Sequence, residues 1–290
     1  MFDHRDHDGP TVRRIILGTQ LRERREARGI TRGEAARAIG ASESKISRLE
    51  GGKAPFKTAD VSELLTCYDV LGVERDALME MARYANVPGW WHEYSNVLPD
   101  WFETYVGLES AAAVIHTYEP LLIPGLLQTE PYARTIERTR PLRTDREVER
   151  RVELRKTRQE LILGGGGRKL WAVVDEGALR RPVGGHQVMR QQLAHLLDVG
   201  TVPNGNVSIQ VLPFAAGAEV AGEVGAFSVF RFREQELPVI AYVEHLVSAV
   251  YMDKLSDTDQ YRSAFEALSL ASLKPGRETN DVIEKIMGTY

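Results

Sequence analysis

The 290-residue sequence contains a single cysteine, Cys67, and no apolar run long enough to cross a membrane. One cysteine excludes an intramolecular disulfide and a zinc site built from several thiolates. A membrane-spanning helix needs about 18 consecutive apolar residues, and no stretch approaches that length. The first ten residues are rich in Asp and His, and no apolar run follows them. We therefore expect no signal peptide and a cytoplasmic protein.

The sequence also lacks an overall excess of positive charge, which at first disfavours nucleic acid as a partner. The whole chain carries −4, yet residues 11–60 hold twelve Lys and Arg against six Asp and Glu. That segment therefore carries +6 and the remainder −10. A basic block on an acidic protein is the charge pattern of a small DNA-binding part attached to a larger domain.

Residues 11–86 predict an all-α domain of five helices, preceded by a disordered leader over residues 1–10. Thr31 with Glu34 three residues later matches a capping box. Gly40 supplies a turn, and Ser42 is a favourable N-cap for the third helix. Apolar residues recur at helical spacing over 12–28, 31–39, 42–50, 58–70 and 75–86.

Pro88 marks the end of this domain, and residues 87–290 predict an α+β domain. Short segments rich in Val, Ile and Phe predict strands, and helical periodicity surrounds them. Gly164 to Gly167 predict a turn and lack the Lys-Ser/Thr ending of a phosphate-binding loop. The predicted strands cover 170–174, 207–212, 226–232 and 239–243, and the predicted helices cover 130–139, 145–163, 188–197 and 258–272.

Two apolar segments of the second domain admit two interpretations each. Residues 118–127 form a loop with too many Leu and Ile for a solvated one, so they are either core or a partner surface. The aromatic cluster over 90–105 is either packing or a ligand cage. Residues 134–158 hold ten basic side chains against five acidic ones, a pattern typical of exposed helices or of a second phosphate contact.

The second and third predicted helices have the arrangement of a helix-turn-helix, whose second helix enters the major groove of DNA. Arg48 is placed to bind guanine O6 and N7, and Arg32 to hold the DNA backbone. Arg25 with Glu50 predicts a structural ion pair. The alternative is a helical bundle with a solvated basic face, but the complete set of caps and turns favours DNA binding. The predicted DNA-contacting residues are Arg32, Ser42, Glu43, Ser44, Lys45, Ser47 and Arg48.

The run TRGEAARAIGASESKISRLEGG, residues 31–52, resembles the Xre/Cro-type helix-turn-helix, and the resemblance extends over residues 13–72. It implies a DNA-binding domain. The departure is Arg32-Gly33, where that family more often has Gln followed by a helix former. Gly33 weakens the helix by about 1 kcal/mol. The base contact that a Gln makes is not implied at Arg32.

The chain beyond Pro88 resembles the C-terminal region of antitoxin-like Xre regulators, which are abundant in filamentous actinobacteria. That region has no assigned chemistry, and its resemblance implies a small partner protein encoded nearby. The segments that carry it are LIPGLLQTEPYAR (122–134), VVDEGALRRPVG (173–184) and VSIQVLPF (207–214).

We expect neither catalysis nor a cofactor or metal. Asp175 and Glu176 end a predicted strand, where functional carboxylates are common. His186, His195 and His245 follow later in the chain. No spacing among these residues matches a nucleophile elbow, a zinc motif or another acid–base arrangement.

The sequence therefore predicts a homodimeric, sequence-specific transcriptional regulator that binds a pseudo-palindromic operator. Its C-terminal domain is predicted to receive a regulatory input from a small partner protein. Two alternatives stay open. The C-terminal domain senses a small-molecule ligand, or the protein is an antitoxin whose main role is to neutralise that partner.

Overall fold

A computed structural model describes residues 9–141, 143–164, 167–200, 205–216, 222, 224–234 and 237–290. The described chain divides into two compact units. The N-terminal unit runs to Glu93 and includes Glu234 and Leu237, and the C-terminal unit begins at Tyr94. Most of the leader predicted over residues 1–10 lies outside the described residues. Its end is corrected, because Pro10 is the first residue of a helix, a position where the missing N–H of proline is harmless.

The N-terminal unit is a bundle of helices around one core. Each helix contributes apolar side chains to that core, among them Leu17, Ile46 and Leu65. The fourth helix ends earlier than the predicted residue 70, because Asp69 adopts a positive φ of 55°. The helices are α1 (Pro10–Ala27), α2 (Arg32–Ala38), α3 (Glu43–Glu50), α4 (Thr58–Cys67) and α5 (Gly72–Tyr84).

Two glycines allow α1 and the end of α3 to approach closely. A Cβ on Gly18 would lie 2.4 Å from the carbonyl oxygen of Leu49, and one on Gly52 would lie 2.8 Å from Cα of Ile15. Gly52 also has a φ of +64°, a region that glycine adopts without steric penalty. These two glycines therefore determine how closely α3 packs against α1.

The C-terminal unit combines helices with a six-stranded mixed sheet in its described part, as the α+β prediction requires. The strand order is β3-β2-β1-β4-β5-β6, in which β1, β2 and β3 are parallel and β4, β5 and β6 are antiparallel. The strands are β1 (Val114–Glu119), β2 (Lys169–Asp175), β3 (Val207–Leu212), β4 (Phe227–Arg231), β5 (Ile240–Glu244) and β6 (Ala249–Met252).

Helices cover both faces of this sheet. Gly164 ends the helix that the glycine turn was predicted to follow, while Gly165 and Gly166 of that turn lie outside the described residues. None of the described helices combines the length and the apolar composition that a membrane crossing requires. The helices are α6 (Asp100–Ala111), α7 (Glu130–Arg138), α8 (Asp145–Leu163), α9 (Glu176–Arg180), α10 (His186–Gly200), α11 (Leu255–Ala271) and α12 (Arg277–Met287).

The register separates the two faces of the sheet clearly. One face, which we call the α11 face, packs Tyr118, Val229 and other apolar side chains against Phe265 of α11. The opposite face, the α6 face, carries Thr117, Ser228 and Tyr242 in register with one another. The ring of Tyr105 in α6 lies 4.5 Å from the ring of Tyr242.

The apolar segment 118–127 is largely core rather than surface. Ile123 and Leu127 are 1% and 0% exposed, whereas Leu121 is 57% exposed. The side-chain amide of Gln128 donates to the carbonyl oxygen of Ile123 at 2.6 Å, which supports the backbone of this irregular segment. Its first residues, Tyr118 and Glu119, end β1 and do not belong to a loop.

Candidate nucleic-acid interface

The turn between α2 and α3 is held by capping interactions at both helix starts. Thr31 and Glu34 form the predicted capping box: the Glu34 N–H donates to Thr31 Oγ1 at 3.2 Å, and the Thr31 N–H donates to the Glu34 carboxylate at 2.7 Å. Gly40 has a φ of +59°. Ser42 Oγ then accepts from the Lys45 N–H at 3.3 Å and caps α3. The geometry is that of a helix-turn-helix with a short, well-defined turn.

The α3 helix presents one polar face to solvent. Ile46 and Leu49 are each 1% exposed and anchor the helix in the core. The predicted DNA-contacting residues on the other side have exposed side chains, which the backbone of a capped helix holds at fixed spacing. They are Glu43, Ser44, Ser47 and Arg48, with Ser42 at the N-cap.

A buried carboxylate, Glu50, ties this helix to the two before it. Arg25 of α1 donates from Nε to Oε1 and from Nη2 to Oε2 of Glu50, the second at 3.1 Å. Arg32 of α2 donates from Nε to Oε2 at 3.2 Å. The Glu50 side chain raises the pKa of Arg25, mainly through this hydrogen bond. The Arg25–Glu50 pair predicted from the sequence is therefore present, and it gains Arg32 as a third member.

Two of the predicted DNA contacts also have partners inside the protein. The Lys45 ammonium lies 2.6 Å from a carboxylate oxygen of Asp60 in α4. Neither Nη group of Arg32 has a partner among the described residues, and the Arg32 side chain is 48% exposed. Arg48 is exposed and forms no ion pair within the part of the chain that the structure describes. Arg48 is thus the most available cation of α3.

Sequence reasoning missed two further cations next to α3. Lys53 and Lys57 are exposed and follow the helix directly, and neither pairs with a carboxylate among the described residues. Lys57 occupies the N-cap position of α4 without a side-chain hydrogen bond to the first turn. The N–H groups at this helix start are suited to a phosphate. The signal in the sequence was the basic loop that follows the turn glycines.

The chemically reactive residues of the C-terminal unit have local structural roles. Asp175 caps α9 by accepting from the Gly177 N–H at 2.7 Å. Glu176 accepts from the Phe214 N–H at 2.9 Å and pairs with Arg180. No cluster of three or more His, Cys, Asp or Glu that would hold a metal occurs among the described residues.

Of the four histidines of that unit, the three considered in the sequence analysis have similarly local contacts. His186 Nδ1 lies 3.0 Å from the Tyr290 carbonyl oxygen. Burial lowers the pKa of His195. His245 is exposed, and its backbone N–H donates to Ser248 in the turn between β5 and β6.

Comparison with known proteins assigns both parts of the chain to described domains. A helix-turn-helix domain matches residues 16–78, which cover α2, α3 and the lysines after them. A domain of unknown function, DUF5753, matches residues 102–285. No curated protein and no solved structure matches the chain.

Proposed function

We propose that this chain, which belongs to the family of proteins with the domain of unknown function DUF5753, is a sequence-specific DNA-binding transcriptional regulator of the Xre type. The observation that carries this proposal is the exposed polar face of α3, held in place by two caps and by the Glu50 ion-pair cluster. A helix-turn-helix with such a face has a recognition helix ready to enter the major groove.

In this proposal each basic residue has a separate task. Arg48 donates in a bidentate way to a guanine, which distinguishes that base from the other three. Arg32, Lys53 and Lys57 contact phosphates, and they contribute affinity without sequence information. Because residues 11–60 carry +6 while the rest of the chain carries −10, DNA approaches this segment of the N-terminal unit.

We further propose that the protein acts as a cytoplasmic homodimer on a pseudo-palindromic operator, because two such units match two half-sites. An exposed apolar stretch supports protein contacts of the C-terminal unit. Leu246, Val247 and Val250 lie around the turn into the edge strand β6 and are 78%, 82% and 44% exposed. Edge strands with exposed apolar side chains pair readily with another chain.

The same unit is proposed to receive the regulatory input and to catalyse no reaction. A small partner protein encoded nearby is the first candidate for that input, and the exposed Leu255 and Leu270 add to the surface available to it. If the protein were chiefly an antitoxin, expressing that small protein alone would be toxic.

Fluorescence anisotropy with DNA from upstream of the gene tests this proposal at stated salt. Arg48→Ala should weaken binding to the operator by about 1–3 kcal/mol and relax specificity at one base pair. Arg32→Ala should weaken binding to every sequence alike and lower the salt dependence by about one counterion. Arg83→Ala removes an exposed arginine of α5 and is the matched control for loss of charge.

Equal loss on all sequences for Arg48→Ala would refute its role in base recognition. Because Arg32 also pairs with Glu50, its variant is first checked for an unchanged unfolding midpoint. If the well-folded wild-type protein showed no sequence preference on its upstream DNA, alone or with the neighbouring gene product, the proposed function would be wrong.

A further inference from the structure

The C-terminal unit contains a cavity of about 660 Å³ between α6, α8 and the α6 face of the sheet. Its size is that of a small-molecule site. The walls combine aromatic side chains of α6, arginines of α8 and polar residues at the ends of β1, β4 and β5. A mixed wall of this kind can bind an organic molecule with a charged group.

The arginines of the α8 wall are not all neutralised. Arg158 makes two 2.7 Å hydrogen bonds to Glu109, and Arg155 donates from its Nη groups to Gln128 and Glu137 at 2.8 and 2.9 Å. The side chain of Arg151, one turn before Arg155, forms no hydrogen bond or ion pair with any other described residue.

The donors left over are buried. Nε of Arg151 and Nε of Arg155 are both inaccessible to solvent and lack a hydrogen-bond partner. Burial and the neighbouring Arg143 lower the pKa of Arg151. A donor that water does not reach is also out of reach of a ligand, so an anion in the cavity meets the Nη groups of Arg151, which lines the cavity and has no described side-chain partner.

The opposite wall limits where an anion can sit. The register of β1, β4 and β5 places Glu119 and Glu244 on the α6 face at the same end of the sheet. The Tyr242 hydroxyl donates to Glu244 at 2.8 Å. The ring of Tyr242 packs against the ring of Tyr105. A second negative group at this end would meet two carboxylates, whereas an aromatic or aliphatic body would meet rings.

We propose that this cavity binds a small molecule with one anionic group, a carboxylate or a phosphate, which the Arg151 guanidinium holds beside Arg155. The body of the ligand then packs on Phe102 and Tyr105, whose rings stack at 5.0 Å. That this ligand regulates DNA affinity rests on the proposed function. Its binding does not, and it is therefore measured without DNA.

Isothermal titration calorimetry of the full chain tests the site with three probes that differ only in their polar group. Benzoate and phenyl phosphate carry the two candidate anions, and benzyl alcohol is their neutral counterpart. We expect at least one anion to bind, about tenfold or more tightly than the alcohol. Whichever anion binds more tightly identifies the class of the natural ligand.

Arg151→Gln should lower the affinity for the anion about tenfold or more. Arg146→Gln removes an exposed arginine of the same helix that does not line the cavity, and it should bind like the wild type. Without ligand, Arg151→Gln should unfold at the same temperature as the wild type or above it, because no described partner is lost.

Arg151→Lys keeps the positive charge and removes the planar guanidinium fork, so it tests the site even if the Gln variant folds poorly. It should also bind the anion more weakly than the wild type does. The proposal is overturned if no anion binds more tightly than about 10 mM. Equal binding by the alcohol, or equal loss of affinity in the Arg146→Gln control, overturns it as well.

Discussion

Burial gives two glutamates of this protein different roles. Glu50 is 4% exposed and accepts hydrogen bonds from Arg25 and Arg32, so it serves as a bridge between three helices. The side chain of Glu119 forms no hydrogen bond or ion pair with another described residue. Burial and the nearby Glu244 raise its pKa from 4.5 to about 8. A paired carboxylate stabilises the fold in its ionised form, whereas a buried carboxyl group without a partner destabilises the fold when it ionises.

Glu119→Gln should therefore change how stability depends on pH. The folded state holds the Glu119 proton more tightly than the unfolded state, so the wild-type contribution is complete below pH 4.5 and is lost as pH rises towards 8. Between pH 5 and pH 8 a pKa change from 4.5 to about 8 corresponds to about 3–4 kcal/mol, so the variant should gain up to that amount relative to the wild type. Urea unfolding of both proteins at pH 5, 6, 7 and 8 measures the difference.

Glu244→Gln is the companion variant, because it removes the charge that adds to the effect of burial. It should flatten part of the same pH dependence. His116, whose pKa burial lowers to about 4, titrates equally in all three proteins and cancels from the comparison. A difference that stays constant from pH 5 to pH 8 would show that Glu119 is ionised throughout.

At the scale of helices and strands, elements that carry their own end signals are predictable from the sequence. The capping boxes at Thr31 and Thr144 mark the starts of α2 and α8, and Ser42 marks α3. These signals are local, because a cap needs only residues within one turn. The exposed face of α3 was also predictable, because helical periodicity determines which of its residues point into the core.

Elements defined by distant partners were missed. β6 is a four-residue, partly exposed edge strand that exists through its pairing with β5. β1 lies between β2 and β4 at the centre of the sheet. Its sequence has no alternation of apolar and polar residues that would distinguish it from a loop. The α6 helix was predicted only as an aromatic cluster. The Lys45–Asp60 contact joins residues fifteen positions apart, and no local pattern encodes it.

The packing of α3 against α1 should be disrupted by a side chain at position 52. Gly52→Ala adds a Cβ that would lie 2.8 Å from Cα of Ile15 at a backbone φ of +64°. Because the contacted atom belongs to the backbone, it cannot rotate away. We expect a loss of about 2–4 kcal/mol in the free energy of unfolding.

Gly29→Ala separates the two causes of that loss. Gly29 has a φ of +65°, but an added Cβ would have no atom within 4 Å. This variant should lose only the backbone contribution, about 1–2 kcal/mol. Urea unfolding of both variants measures the two values. Equal losses would mean that close approach to α1 does not constrain Gly52.

At the scale of the whole molecule, two cores support two separate tasks. Leu17, Ile46, Leu65 and their neighbours fill the core of the N-terminal unit. Tyr118, Val229 and Phe265 belong to a cluster of the C-terminal unit. The basic segment, residues 11–60 with +6, lies within the first unit, although residues 1–93 as a whole sum to zero and residues 94–290 to −4. A unit with its own core and its own helix caps is expected to fold by itself.

A fragment of residues 1–93 should therefore fold cooperatively and retain the sequence preference of the full chain. The end of the fragment matters, because Asn86 accepts from the Phe56 N–H at 3.0 Å and donates to the Phe56 carbonyl oxygen. A fragment that stops at residue 85 loses both bonds and should be less stable. Circular dichroism on heating compares the two fragments.

The affinity of the longer fragment then locates the dimer contacts. If dimerisation resides beyond residue 93, one helix-turn-helix binds one half-site, and operator affinity should fall about a hundredfold because the second unit no longer binds at high effective concentration. A half-site oligonucleotide should bind the fragment and the full chain with similar affinity. Undiminished operator affinity in the fragment would place the dimer contacts within the N-terminal unit and leave the C-terminal unit with the regulatory role alone.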